Sequence, residues 1–307
     1  MRFLTVCLNP TVQRTLVVRS LEPGEVNRAA SVRVDSAGKG ANVGRVIHQL
    51  GHDVVHLTQA GGPDGELFLR LCAADGLAVI GVPTTSNART CTTVIDEASR
   101  STTELVEPTE PVDPGCESRV WDAYVAALSD ARSVAISGSK APGFSADVFP
   151  KMVEAARKQG AFVLVDYRGD DLKASIEHRP DVIKPNLAEF VSTFLADSVS
   201  DGSVSEETDE RDLLVAVERE MLRIHRDAGA VVVLTRGKRE TLVAVDGRVT
   251  RVPVLPVTPV NTIGCGDAFA AGLAVALHDG ATPLDAVDRA HECAAANARL
   301  LRPGVIR

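Results

Sequence analysis

Residues 162–186 read FVLVDYRGDDLKASIEHRPDVIKPN: two short apolar runs, FVLVD and DVIKPN, with a polar stretch between them. Each run is too short for a typical helix, and each is apolar at successive positions instead of alternating. A strand of that kind has both faces covered, as in a parallel sheet with helices on either side. Outward from this stretch the pattern repeats, with SVAISG (133–138) before it and VVVLTRG (231–237) after it. Helical spacing falls between the runs, in Val120–Leu128 and Phe149–Lys158. Toward the N-terminus, Phe3–Leu8 is a strand ended by Asn9-Pro10, Ala41–Leu50 is a helix stopped by Gly51, and Val54–Thr58 returns as a strand. Strands alternating with helices predict an α/β chain on a doubly wound, mostly parallel sheet.

Three segments depart from this pattern. Residues 11–18, 29–34 and 89–106 alternate polar with apolar and have no helices long enough for crossovers. They predict a small β-sheet with one wet face, a lid standing off a single domain that spans residues 1–307. Residues 197–212, DSVSDGSVSEETDERD, are acidic and Ser-rich and predict an exposed loop or insertion. No internal repeat is present.

The formal net charge of −8 gives the surface no bulk attraction for nucleic acid or anionic membrane. An anionic ligand therefore needs a local basic pocket. The six cysteines show no CxxC and no metal-ligand spacing, which fits a reducing, cytoplasmic setting. The N-terminal apolar stretch is too short for a signal peptide, and no run reaches the ~18 apolar residues of a membrane span.

The most informative motif is NTIGCGDAFAAG, residues 261–272. Two glycines at a helix start let successive backbone N–H groups converge on one point, where the helix dipole also favours negative charge. Asp267 stands in the first turn, where a carboxylate can take a proton from an attacking hydroxyl. The plainer reading is an N-terminal capping Asp on a buried helix. Asn186 and Glu189, in KPNLAE, fall on one helical face and suit a hydrated Mg²⁺ beside nucleotide phosphates; a capping box explains the same pair. Thr235-Arg236-Gly237-Lys238 closes a strand at its carboxyl end, a place where phosphates bind in α/β sheets.

NTIGCGDAF resembles the C-terminal signature of the PfkB/ribokinase carbohydrate kinases, and KPNLAEF resembles their Asn-x-x-Glu element. LNPTVQRTL, GEVNR, AGKGANVGRVIHQLG and SGSKAPGFS resemble the branch of 1-phosphofructokinases and tagatose-6-phosphate kinases. The motifs run in the family's order from residue 8 to residue 272. The resemblance implies a ribokinase-like fold and ATP-dependent phosphorylation of a phosphosugar such as fructose 1-phosphate, fructose 6-phosphate or tagatose 6-phosphate. It makes Asp267 the general base, with the N–H groups around Gly264, Cys265 and Gly266 as the anion hole. It places Asn186 and Glu189 at Mg²⁺, and Asn186, Thr235, Gly237 and Lys238 at ATP. On the sugar side it assigns Asn9, Gln13, Gly38, Gly40, Asn42 and Ser139, with Arg28, Lys39 and Arg89 receiving the phosphate already on the substrate. It implies a homodimer through the lid and leaves a monovalent cation such as K⁺ open.

Four positions depart from the branch pattern. Gln13 replaces the usual Asp, ARTCTT replaces TRIN, Lys140 replaces an apolar residue, and Glu240 stands where a second Gly is common. A kinase of an unphosphorylated sugar or nucleoside is the alternative within the class. A NAD-dependent oxidoreductase is a rival, since Gly38-x-Gly40-x-x-x-Gly44 imitates a dinucleotide-binding turn; its spacing is GxGxxxG, and Gln59 stands where an acid is wanted. An inactive sugar-binding protein is the third reading.

Overall fold

The structure is a computed structural model and describes residues 2–196, 204–206 and 208–307. The chain opens on β1 (Arg2–Val6), leaves it for β2 (Thr11–Val18) and β3 (Ser31–Ala37), and returns through α1 (Lys39–Gln49) to β4 (Val54–Ala60), α2 (Gly62–Ala74) and β5 (Ala78–Pro83). A second excursion makes β6 (Arg89–Asp96) and β7 (Ser101–Val106). Helices and strands then alternate: α3 (Cys116–Leu128), β8 (Ala131–Ser137), α4 (Val148–Lys158), β9 (Phe162–Asp166), α5 (Asp170–Ile176), β10 (Val182–Ile183) and α6 (Leu187–Phe194). The last part holds α7 (Arg211–Ala228), β11 (Val231–Arg236), β12 (Arg239–Val245), β13 (Arg248–Val252), α8 (Cys265–His278) and α9 (Pro283–Ala298).

Among the described residues the main sheet has nine strands in the order β13-β12-β11-β10-β9-β8-β1-β4-β5. Its pairs are parallel from β5 to β11, and β12 and β13 add an antiparallel edge. Successive residues of a buried strand face opposite sides. Val163 and Val165 of β9 accordingly pack with Phe149 and Met152 of α4, whereas Leu164 joins the opposite core with Val43, Ile47 and Leu273. Each fully buried aliphatic side chain there contributes about 2 kcal/mol. The continuous apolar runs seen in the sequence are the consequence of these two cores.

The chain runs from β1 outward to β4 and β5 on one side, then resumes at β8 on the other. A doubly wound sheet opens a crevice at such a reversal, beyond the carboxyl ends of the strands. The loops after β1, β8 and β9 meet there.

Four strands form the second sheet, in the order β3-β2-β6-β7. Strand β3 runs over Ser31–Ala37 instead of 29–34, and residues 89–106 divide into β6 and β7 around a turn in which Arg100 has φ 55°. The DVIKPN run gives only a two-residue β10, because Pro185 has no N–H for the ladder; a bridge from Asn186 to Thr235 takes over. Of the acidic stretch 197–212, residues 197–203 and 207 lie outside the described residues, and 211–212 already belong to α7. Among the described residues no helix is long and apolar enough to cross a membrane.

Candidate active site

Helix α8 enters the crevice with its N-terminus. Gly264 caps it with φ 82°, and a Cβ there would lie 2.5 Å from the Gly304 nitrogen, so neither backbone angle nor space admits a side chain. The first N–H to find a carbonyl four residues back is that of Ala268, on Gly264 at 2.9 Å. The N–H groups of residues 265–267 therefore precede the intrahelical ladder; that of Cys265 closes a turn on the Thr262 carbonyl at 3.3 Å. A Cβ built on Gly266 would meet nothing within 4 Å. Bare backbone donors thus face open space at the positive end of a helix, which suits an anion.

Asp267 is buried beside this opening. Its Oδ2 accepts from Asn42 Nδ2 at 2.7 Å, across 225 residues of sequence. Burial pushes its pKa up from 3.8 to about 6, opposed by Lys39, by the Asn42 hydrogen bond and by Lys184. A carboxylate poised near neutrality is well placed to accept a hydroxyl proton. The Cys265 thiol is pushed up to about 11 by burial, so it stays neutral next to the anion site.

Lys39, at the first position of α1, joins the two sides of the crevice. Its Nζ donates to Asp166 Oδ1 at 3.2 Å and to Glu189 Oε1 at 2.9 Å. These carboxylates, together with Asp267, hold its ammonium well above the ordinary lysine range despite burial. Lys184 lies 3.2 Å from Asp166 Oδ2. Asn186 and Glu189 form a full capping box on α6: Asn186 Oδ1 accepts from Glu189 N–H at 2.8 Å, and Glu189 Oε2 accepts from Asn186 N–H at 3.1 Å. Asn186 Nδ2 donates to Glu206 Oε1 at 2.6 Å, and burial raises the Glu206 carboxyl. The capping-box reading of the Asn-x-x-Glu pair holds, and the oxygens of the pair, with those of Glu206, are hard donors. That chemistry fits Mg²⁺ shared with phosphates and waters.

At the strand-order reversal, Asn9 Nδ2 donates to Ser139 Oγ at 3.0 Å, joining the loops after β1 and β8. Thr109 Oγ1 donates to Asn9 Oδ1 at 3.1 Å. Gly40 allows α1 to start hard against β1, since a Cβ there would lie 2.8 Å from the Val6 carbonyl oxygen. Gly38, with φ 101°, makes the preceding turn. Gln13 is buried on β2 and donates from Nε2 to Thr93 Oγ1 at 2.7 Å. Arg89, at the start of β6, donates to Thr11 Oγ1 at 3.1 Å; burial pushes the Cys7 thiol up, and the charge of Arg89 opposes this while that of Asp267 adds to it. Arg28 stands apart, exposed on the segment between β2 and β3.

Two cations are placed differently from a phosphate contact. Lys140 pairs with Asp171 and lies 5.6 Å over the Phe149 ring, so it serves the packing of α4 and α5. Arg236 is buried and donates to Asp209 Oδ1 at 2.8 Å and to the Thr208 carbonyl at 3.0 Å, bracing the segment before α7. On that turn Gly237 (φ 57°) and Lys238 are exposed, and Thr235 N–H donates to the Pro185 carbonyl at 3.3 Å.

Sequence reasoning left out Asp166, Lys184 and Glu206. Asp166 ends the apolar run FVLVD at the carboxyl end of its strand, a signal that ligand-site placement in α/β sheets makes usable.

Comparison with known proteins gives the family. The pfkB family carbohydrate kinase model matches residues 6–303. A 1-phosphofructokinase of Rhodobacter capsulatus is 31% identical over 94% of this chain and 87% of its own length. The ATP-dependent 6-phosphofructokinase isozyme 2 of Mycobacterium tuberculosis (strain CDC 1551 / Oshkosh) is 28% identical over 99% and 85%. Two solved structures of Escherichia coli phosphofructokinase-2 share the fold. The tetrameric inhibited form has a TM-score of 0.82 at 23% identity, covering 97% of this chain and 94% of that one. The complex with potassium has a TM-score of 0.82 at 24% identity, covering 98% and 93%.

Proposed function

This chain belongs to the pfkB family of carbohydrate kinases, and from that membership and the crevice geometry we propose that it transfers the γ-phosphoryl group of ATP to a hydroxyl of a phosphosugar. Fructose 1-phosphate, fructose 6-phosphate and tagatose 6-phosphate are the substrate types. The observation that carries the reading is Asp267: a buried carboxylate with a pKa near 6, one oxygen held by Asn42, beside unobstructed donors at the start of α8. Asp267 takes the hydroxyl proton as the sugar oxygen attacks the γ-phosphorus, and ADP leaves. The N–H groups around Gly266 stabilise the charge that develops on the transferring phosphoryl oxygens.

Asn186 and Glu189 are the residues that would hold Mg²⁺ through its waters, and the ion when bound neutralises the β- and γ-phosphate oxygens. Thr235, Gly237 and Lys238 line the nucleotide side. Asn9, Gln13, Asn42 and Ser139 contact sugar hydroxyls, and Gly38 and Gly40 let the backbone come close. Arg89, at the start of β6, is the cation that receives the substrate phosphate, with Arg28 as the second. The potassium complex of the Escherichia coli neighbour supports testing a K⁺ requirement.

A second reading has one observation in its favour. Lys39 is already neutralised by Asp166 and Glu189, which leaves fewer cations for a substrate phosphate and suits a free sugar or nucleoside. Assembly through the small sheet is supported by apolar side chains that stand exposed on it, Val32, Leu105 and Val106. The tetrameric neighbour shows that the fold accommodates oligomers. The test is ADP release from Mg·ATP with each of the three phosphosugars. Turnover on one of them, slowed about 10³-fold in Asp267→Asn, supports the proposal; no turnover on any refutes it.

A further inference from the structure

Arg45 has 1% of its surface exposed and is the foremost of the large fully buried side chains. A guanidinium in such a place must spend its donors. Nε donates to Asp75 Oδ2 at 2.8 Å, and Nη2 donates to the carbonyl and hydroxyl oxygens of Ser36 at 2.5 and 2.6 Å. Nη1 donates to Asn42 Oδ1 at 2.9 Å and to the Gly304 carbonyl at 3.3 Å. Asp75 is held in turn by Arg302, which also reaches Asp35 at 2.9 Å.

This arrangement removes an ambiguity that an amide otherwise carries. Guanidinium offers donors only, so the Asn42 atom facing Arg45 is the oxygen. The amide nitrogen must then face Asp267 Oδ2, where it lies at 2.7 Å. One carboxylate oxygen is thereby occupied and the other is left for the acceptor hydroxyl. The C-terminal tail backs the same amide: a Cβ on Gly304 would come within 2.5 Å of Asn42 Cγ, and Gly304 N–H is fixed on Asn297 Oδ1 at 2.7 Å.

We propose that Arg45 is a positioning residue for phosphoryl transfer, which fixes the Asn42 amide so that Asp267 is aimed and kept anionic, without touching substrate. The proposal rests on the reading of Asp267 as general base. The other groups acting on Asp267 are Lys39 and Lys184, which favour its anion, and Asp166, which opposes it; the thiols of Cys7 and Cys265 beside it are neutral.

The test is a kinetic cycle of Arg45→Lys, Asn42→Ala and the double variant on the phosphosugar that the unaltered enzyme turns over. Lysine keeps the charge but has no fork with which to hold Ser36, Asn42 and Asp75 together. Arg45→Lys is expected to lower kcat about 10- to 100-fold and to move the acid limb of the kcat profile up by about one pH unit, with KM for Mg·ATP unchanged. Asn42→Ala is expected to shift the limb in the same direction, and the double variant to be no worse than Asn42→Ala. The limb midpoint does not depend on how much of a preparation is folded. Asp75→Asn, which loosens Arg45 from the far side, gives a second reading and should shift the midpoint the same way. Additive losses, or an unmoved midpoint in Arg45→Lys and Asp75→Asn, overturn the proposal. Absence of turnover by the unaltered enzyme on every phosphosugar defeats instead the functional reading beneath it.

Discussion

Lys39 and Glu189, 150 residues apart in sequence, meet in a 2.9 Å ion pair that ties the start of α1 to the start of α6. On the proposed reading the first helix borders the sugar and the second the nucleotide. The same ammonium reaches Asp166 at 3.2 Å and lowers the pKa of Asp267. Lys39→Met is expected to leave Asp267 harder to ionise, moving the acid limb of activity upward, and to raise KM for Mg·ATP by releasing Glu189. A pH series of initial rates at several ATP concentrations checks both effects.

Asp267 carries a stability cost beside the role proposed for it. Its folded pKa of about 6 lies above the ordinary 3.8, so its contribution to stability is fully present below about pH 4 and is lost as pH rises through about 6. At pH 7 the ionised form costs on the order of 3 kcal/mol. Asp267→Asn removes that charge while the amide oxygen can still accept from Asn42. The variant should melt a few degrees higher at pH 7 and turn over about 10³-fold more slowly. Thermal melts at pH 5 and pH 7 should show the gain mainly at the higher pH. In the unaltered enzyme, activity should rise with pH through a midpoint near 6.

The two glycines of the α8 start should respond in opposite ways. Gly266→Ala places a methyl group in open space, so the melting temperature should hold while kcat falls, because the methyl group intrudes on the phosphoryl site. Gly264→Ala meets the Gly304 nitrogen and needs a left-handed backbone, which costs about 2 kcal/mol or more. Melting curves and kcat for the two variants separate these roles.

Arg89 is the cation proposed to receive the phosphate on the sugar. Arg89→Ala removes a charge-assisted contact of about 1.5–3 kcal/mol, so KM for the phosphosugar should rise about 10- to 100-fold. KM for ATP should stay within a factor of two. Steady-state kinetics in both substrates measures this directly.

The layered sheet was legible because its strands are buried on both faces, so FVLVD and VVVLTR carry no alternation to misread. The site motifs were legible because glycines, an acid and an amide at loop ends recur in a fixed order. What was hidden depends on tertiary pairing. The sequence does not reveal that Lys39 is spent on Asp166 and Glu189, that Arg236 turns inward to Asp209, or that Lys140 serves Asp171. Nothing in the helical stretch 41–50 marks Arg45, which is buried at the centre of a network spanning residues 36 to 304. Strand ends moved for a local reason: Pro185 stopped β10 after two residues, whereas nothing stopped β3 before Ala37.

The central claim is that the acceptor already carries a phosphate, and one ratio tests it most directly. The measurement is kcat/KM with Mg·ATP for the best phosphosugar, divided by kcat/KM for the same sugar without its phosphate. The expected ratio is at least about 10, the lower end of what one charge-assisted phosphate contact contributes. A ratio of one or below would contradict it.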